Sequence, residues 1–490
     1  MKRTKTRTLP LCLTALLLTA ASSASFAAGP PARPNVLLIC VDDLKPLLGC
    51  YGSPLIQSPN IDRLAARGAL LERAFCNQAV CSPSRNSLMT GLRPQTIGIY
   101  DLPTHFRDAI PDAVTVAQYF QRQGYRTEAM GKIFHVGHGN HEDALSWTVP
   151  HWRPKDGYQL KESTARARRN SRGGITGAPT ECADVPDTAY ADGQIADEAA
   201  ARLRKAAAKP DEPFFMAIGF LRPHLPFMAP KKYWELYERS SFQPPKRQTP
   251  PEGAPAFAGT TWGELRAYSD MPEVGPLSLD QQRELIHGYH AAVSYMDAQL
   301  GRVLDALDAS PLAKNTIIVL WGDHGWHLGD HGQWCKHTNY EQAARIPLVV
   351  VAPGVTAPGT RISALVETVD LYPTLCELAG LPALRGLDGT SIVPTLKNPA
   401  TATKDAVFHV YPRGELLGRA VRTARYRLVE WKKIGAPAAT AVIELYDYET
   451  DPEETSNLAA AKPAVVAQLR AMLATQPEAK SQIHFAGRRK

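Results

Sequence analysis

The chain has 490 residues, 44 % of them hydrophobic and 21 % charged. That length suits one large α/β domain with a smaller one beside it, and the composition excludes collagen, a coiled coil and wholesale disorder. The formal charge of +7 is weak evidence for a nucleic-acid partner, because Lys2, Arg3, Lys5 and Arg7 all stand in an acid-free stretch of 27 residues.

That stretch, residues 1–27, reads as a signal peptide. A basic start precedes an apolar run from Leu9 to Ala20, and small residues lead to Ser25-Phe26-Ala27, which suits cleavage after Ala27. The run is short for a bilayer and no twin arginine precedes it. The expectation is general secretory export to a periplasm or the outside, without stable membrane insertion. Cys12 would leave with the signal, so seven of the eight cysteines remain. An odd number in an exported chain flags a cysteine with a task other than pairing.

In chain order, Asn35–Val41 is a short apolar run ending in Asp42-Asp43, the pattern of a buried parallel strand with acids at its end. Helices are predicted over Asn60–Arg67 and Ala113–Gln123. Arg126–Gly131 then leads into Lys132-Ile133-Phe134-His135. An exposed helix is predicted over Ile195–Lys209. Phe214–Phe220 reads as a strand ending in Arg222-Pro223-His224, and Asp280–Leu307 carries long helical periodicity. Thr316–Trp321 is a strand running into Gly322-Asp323-His324-Gly325, and Ile346–Val351 is another. Strands alternating with helices predict a mostly parallel sheet covered on both faces. Four strands end in chemically able residues. Ligands of open α/β sheets bind beyond the carboxyl ends of strands, so those clusters are placed at one site.

Two segments, roughly His138–Asp192 and Ser241–Leu277, lack periodicity and read as substrate walls or lids. After about Pro399 the pattern changes. Short β-like stretches (Ala406–Tyr411, Arg419–Trp431, Val442–Tyr446) precede a last helix, Pro463–Leu473. The predicted organisation is a signal peptide over 1–27, a large domain over 28–399 and a smaller α+β domain over 400–490.

The most specific string is Cys81-Ser82-Pro83-Ser84-Arg85 followed by Asn86-Ser87-Leu88-Met89-Thr90-Gly91. On its own such a cysteine reads as a packing residue at a helix start or as a thiol nucleophile. The full pattern C-x-P-S-R-x-x-x-M-T-G resembles the signature of the type I sulfatases, in which the cysteine is oxidised to formylglycine (3-oxoalanine). The resemblance runs from Asn35 to Asn457. Asp42-Asp43 resembles the first metal pair and Gly131-Lys132 with His135 the second motif. His224 is similar to a sulfate-contacting histidine, Asp323-His324 to the second metal pair, and Lys336 to a downstream lysine. The iduronate-2-sulfatase-like branch is indicated by Gly131–His135, Arg222–His224 and the Asp-His form of Asp323-His324. The implied fold is α/β of the alkaline phosphatase/sulfatase-like kind, with a smaller α+β C-terminal domain. The implied activity is hydrolysis of sulfate esters of sulfated carbohydrates, glycosaminoglycan or algal fragments, after maturation by a formylglycine-generating enzyme.

The resemblance implies these roles. Residue 81, as formylglycine, is nucleophile and metal ligand. One hydroxyl of its hydrate attacks sulfur and the sugar alcohol leaves; the second is deprotonated, and sulfate is expelled as the aldehyde re-forms. Arg85 holds the hydrate, Lys132 and Lys336 contact formylglycine or sulfate oxygens, His135 is the base, and His224 contacts sulfate or protonates the alcohol. Asp42, Asp43, Asp323, His324 and residue 81 would hold Ca2+, with Mg2+ or Mn2+ as alternatives. His327, His331 and His337 are rim candidates, and His138 and His141 share a loop with His135. The basic run Arg166–Arg172 reads as a solvated loop or a rim for an anionic polysaccharide. Arg419 or Arg422 is a candidate reader of a uronate carboxylate, and Trp147, Trp152 and Trp431 are candidates for stacking on sugars. Two other functions compete. One is a phosphate or phosphonate monoester hydrolase of the same superfamily, and the other is a glycan-binding pseudoenzyme if Cys81 stays a thiol.

Overall fold

In β1 (Asn35–Val41) alternate side chains enter different cores: Leu37, Ile39 and Val41 join one apolar cluster, Val36, Leu38 and Cys40 another. A strand with both faces buried lies inside a sheet covered on both sides. The computed structural model, which describes Met1 and residues 33–169 and 175–483, contains that sheet.

The elements follow in order as α1 (Pro59–Arg67), β2 (Ala69–Phe75), α2 (Cys81–Thr90), α3 (Val116–Arg122), β3 (Arg126–Gly131) and α4 (Ala191–Ala207). After them come β4 (Phe214–Phe220), α5 (Leu279–Asp308), β5 (Thr316–Gly322), β6 (Arg345–Val351), β7 (Thr360–Glu367) and α6 (Leu371–Leu378). The sheet order is β7-β2-β6-β5-β1-β4-β3. β1 is parallel to β4 and β5, β3 to β4, and β7 to β2. Only β6, predicted as a strand without a direction, runs antiparallel to its neighbours. Helices α1, α4 and α5 send Ile61, Ile195 and Val293 into the first core; α2, α3 and α6 send Leu88, Phe120 and Leu375 into the second.

Several predicted bounds shift for visible reasons. α3 begins at Val116, three residues after the expected start, because the Thr115 hydroxyl accepts from Gln118 N (3.1 Å) and caps the helix. α4 is not an exposed helix, since Ile195, Ala196, Ala199 and Leu203 are buried under the sheet. β2 and β7 were not anticipated. Glu72 and Arg73 interrupt the apolar run of β2, and β7 is an edge strand with exposed residues on one side.

From Ala406 the chain builds an antiparallel sheet of β8 (Ala406–Arg413), β9 (Leu416–Thr423), β10 (Tyr426–Lys432) and β11 (Val442–Asp447). The predicted stretch Arg419–Trp431 is thus two strands joined by a turn at Ala424-Arg425. Helix α7 (Pro463–Ala474) packs Leu469 and Leu473 on Val421, Leu428 and Leu445. Val407 of β8 shares a small core with Phe75 and Leu365, and Val410 N donates to Asn77 O. The described residues from Arg33 onward form one compact unit.

The predicted signal peptide lies outside the described residues, as do Asn170, Ser171 and Arg172 of the basic run and the chain's last seven residues. Among the described residues no helix is long and apolar enough to cross a membrane, and all seven cysteines are free.

Candidate active site

Strand register brings the expected residues together. Val41 lies opposite Phe220 on one side and Gly322 on the other, and Gly131 lies opposite Gly219. The segments that leave β1, β3, β4 and β5 therefore emerge side by side. They carry Asp42-Asp43, Lys132, His224 and Asp323-His324. Cys81 is the first residue of α2, whose ten residues are all buried. Free backbone N–H groups and the positive end of the helix dipole thus face the same place, an environment that favours an anion.

The contacts are tight. Cys81 Sγ lies 3.4 Å from His324 Nε2 and 3.7 Å from Lys132 Nζ. Arg85, with no exposed surface, bridges Asp42 and Asp323 at 3.0 Å each and also donates to the carbonyls of Lys132 and Ile133. Lys132 pairs with Asp42. Lys336 Nζ donates to both Asp43 oxygens at 3.0 Å. His324 Nε2 stands 3.2 Å from Asp43 Oδ1. His224 Nε2 stands 3.8 Å from Asp43 and 4.0 Å from Asp42. His135 Nε2 faces His138 Nδ1 at 3.0 Å. All ten site residues expected from the sequence are gathered here.

The electrostatics follow from these pairings. Burial alone would raise Asp42, but Lys132, His224 and Arg85 hold it well below the usual carboxylate range. Asp323 is raised, by burial and by the neighbouring negative charge of Asp42, against the pull of His324 and Arg85. Burial opposes the charged form of Lys336, yet Asp43 and Glu264 keep it firmly protonated. His224 is raised despite burial because Asp43 and Asp42 face it. Burial, then Lys132 and His138, pushes His135 down to about 2, so it is a neutral imidazole. Burial pushes the Cys81 thiol well above its ordinary range, with Asp42 adding to the rise.

Two groups of side chains have their donor atoms close enough to share one ion: Asp42, Asp43, Cys81 and His224, and Cys81, Asp323 and His324. Together they offer three buried carboxylates, two imidazoles and the Cys81 sulfur crowded against one another. This oxygen-rich set fits a hard divalent cation, whose charge would relieve the crowding of Asp42 on Asp323. His135, His138 and His141 belong to neither group, which leaves no cation cluster on that loop among the described residues. His141 instead stacks on His105 with ring centroids 4.0 Å apart.

The residues open into a cavity of about 410 Å3 whose lining includes Cys81, His135, His138, His224, Lys336 and His337, together with Thr176, Glu264 and Tyr268. Five residues in or beside this wall hold left-handed backbone: Asp43 (φ 59°), His138 (φ 57°), Trp262 (φ 43°), Cys335 (φ 70°) and His337 (φ 71°). Such conformations cost non-glycine residues roughly 1–3 kcal/mol each and cluster at functional sites.

Other candidates fall elsewhere. Arg422 pairs with Glu341 at 3.0 Å and stacks on Tyr448, while Arg419 pairs with Glu478 at 3.3 Å and borders a different cavity. Neither lines the cavity at Cys81, and each is held by a carboxylate from outside the C-terminal sheet. Trp431 and Trp147 are core residues, and the backbone of Trp152 bridges to Met130 beside the sheet. His327 is buried against the Thr338 hydroxyl, and His331 lines a separate cavity of about 720 Å3. Of the three rim histidines only His337 reaches the site. Arg166 is exposed and pairs with Asp270.

Glu264 is the site residue that the sequence did not reveal. It rides on a helical turn, Gly263–Arg266, within the long irregular segment, and no spacing or motif marks it. Its Oε1 lies 3.0 Å from Lys336 and 3.2 Å from His224. Those cations hold it well below the usual carboxylate range although burial works the other way, so it is ionised.

Comparison with known proteins accords with this geometry. A family model described as Sulfatase matches residues 34–381, and one described as the C-terminal part of N-sulphoglucosamine sulphohydrolase matches residues 329–480. Iduronate 2-sulfatase of Mus musculus is 39% identical over 381 residues, covering 71% of this chain and 69% of that protein. A sulfatase of Formosa agariphila is 34% identical over 455 residues, covering 87% and 83%. Among solved structures, a phosphonate monoester hydrolase from Silicibacter pomeroyi superposes with a TM-score of 0.73 at 22% identity, covering 90% of this chain and 95% of that one. An enzyme in complex with its substrate D-glucosamine-2-N,6-O-disulfate superposes at 0.70 and 22%, covering 90% and 97%. At that identity the two structures speak for the fold alone.

Proposed function

The chain belongs to the sulfatase family and is a sulfuric ester hydrolase, and from that premise we propose that it desulfates sulfated carbohydrates through a formylglycine made from Cys81. The observation that carries this reading is the position of Cys81. It sits at the start of a buried helix, at the wall of the cavity, between His324 and Lys132 and beside three buried carboxylates. The similarity to iduronate 2-sulfatase supports a sulfated uronic acid of a glycosaminoglycan as the first substrate to try.

Hydrated formylglycine supplies a hydroxyl that attacks sulfur and a second hydroxyl whose deprotonation releases sulfate. Asp42, Asp43, Asp323, His324 and residue 81 would hold the calcium ion, which supplies neutralisation of charge on the sulfate oxygens. The remaining work is done by this chain's own side chains. Arg85 is locked between Asp42 and Asp323 and fixes both carboxylates in place. Lys132 and Lys336 present fixed positive charge to an oxyanion in a site of buried side chains, where such charge acts strongly. His135, neutral and buried beside Lys132, is placed to take a proton. His224, whose pKa Asp43 and Asp42 raise, is placed to give one to the departing alcohol. Export by the segment 1–27 and maturation by a formylglycine-generating enzyme complete the proposal.

The test is a desulfation assay on defined heparan, dermatan and algal oligosaccharides, run beside the matching phosphate esters, with protein co-expressed with the maturation enzyme. Release of sulfate with little release of phosphate is the expected result, and preferential phosphate release would overturn it. Chelation is expected to remove most activity, with calcium restoring it better than magnesium or manganese; full activity in the chelator would discount the ion. His135→Ala is expected to lower kcat on the order of 10²- to 10⁴-fold, as for loss of a general base, with KM little changed. An unaltered kcat would remove His135 from the mechanism.

A further inference from the structure

Glu264 places a fixed negative charge in a site built for an anion, and none of the roles above uses it. One oxygen contacts Lys336 at 3.0 Å and His224 at 3.2 Å, and the other lies 3.8 Å from His337. The residue lines the same cavity as Cys81. It does not pair with Arg85 or Lys132, whose carboxylate partners are Asp42 and Asp323. Glu264 therefore offsets charge on Lys336 and sits against His224, both of which border the cavity.

The consequence depends on the charge of the ester. A sulfate monoester carries one negative charge, whereas a phosphate monoester near neutral pH carries close to two. A fixed carboxylate opposes each negative charge that enters, so it penalises a dianion about twice as strongly as a monoanion. We propose that Glu264 is a specificity-determining residue that sets the charge of the accepted ester, admitting the monoanionic sulfate ester and disfavouring the dianionic phosphate monoester. This deepens the sulfate-ester reading of the site and rests on it. The same charge argument leaves a phosphodiester, which is a monoanion, outside Glu264's discrimination.

The experiment compares wild type, Glu264→Gln and Glu264→Asp as matured, calcium-loaded enzymes. The probes are three forms of the sugar that the wild type desulfates fastest: its sulfate ester, its phosphate monoester and its methyl phosphodiester. The Gln variant is expected to raise kcat/KM for the phosphate monoester relative to the sulfate ester by about 10- to 100-fold, while the ratio of phosphodiester to sulfate ester stays within a few-fold. The Asp variant, which keeps the charge, is expected to retain the wild-type ratios whatever its absolute rate. A role in packing alone would move the rates of both variants and neither ratio. Unchanged monoester selectivity in Glu264→Gln, or equal shifts in Gln and Asp, would overturn the proposal while the sulfatase reading stands. A wild type that cleaves the phosphate monoester faster than the sulfate ester would overturn that reading itself.

Discussion

Cys81→Ala is expected to lose sulfate-ester turnover by on the order of 10⁴- to 10⁶-fold, the scale seen when a covalent nucleophile is removed. Its fold should survive. The change removes one buried sulfur at the start of α2 and leaves the Arg85 bridge and the Lys336 pairs untouched. A loss of about 1 kcal/mol is the expected scale. Turnover and thermal unfolding measured on the same preparation check both halves. Activity within 100-fold of wild type would remove residue 81 from the chemistry, and a protein that no longer unfolds cooperatively would show that the cysteine has mainly a packing role.

Arg85→Leu carries the second large effect, and it falls on stability as well as rate. Arg85 has no exposed surface and is the buried cation that faces both Asp42 and Asp323. Removing one partner of a buried ion pair costs about 3–5 kcal/mol, because the charges left behind have lost both water and their counter-ion. Here two carboxylates lose the same partner, and the carbonyls of Lys132 and Ile133 lose a donor. The variant should unfold at clearly lower denaturant concentration and have no measurable activity. Arg85→Lys should fall between it and wild type, since an ammonium keeps the charge but lacks the planar fork that spans two carboxylates. Denaturant midpoints for the three proteins check this ordering. Equal midpoints for wild type and Arg85→Leu would contradict it.

The strands that position the site were legible because they are buried on both faces and read as unbroken apolar runs. Asn35–Val41 and Phe214–Phe220 occur with the predicted bounds, and the polar residues just beyond them could be assigned to one edge of a parallel sheet. β2 escaped for the converse reason, its apolar run being broken by Glu72 and Arg73. The helix beginning at Cys81 gives no periodic signal because it is buried all round, small and polar residues included. The motif at Cys81 nevertheless marked the place.

The cavity wall was the least legible part. Glu264 meets Lys336 across 72 positions of sequence, from a loop without a repeating pattern. Arg419 and Arg422 were misassigned for a related reason. An arginine on a strand looks free until its partner is known, and theirs, Glu478 and Glu341, lie 59 and 81 positions away. Long-range ion pairs of this kind are set by tertiary packing and leave no local trace.

The central claim is that catalysis resides in an oxidised residue 81. It is tested most directly by preparing the protein with graded amounts of maturation enzyme and measuring, in each preparation, the aldehyde fraction of the residue-81 peptide by mass spectrometry alongside turnover of a sulfated oligosaccharide. Turnover should rise in proportion to that fraction and extrapolate to zero for the thiol form; equal turnover in preparations that contain only thiol would contradict the account.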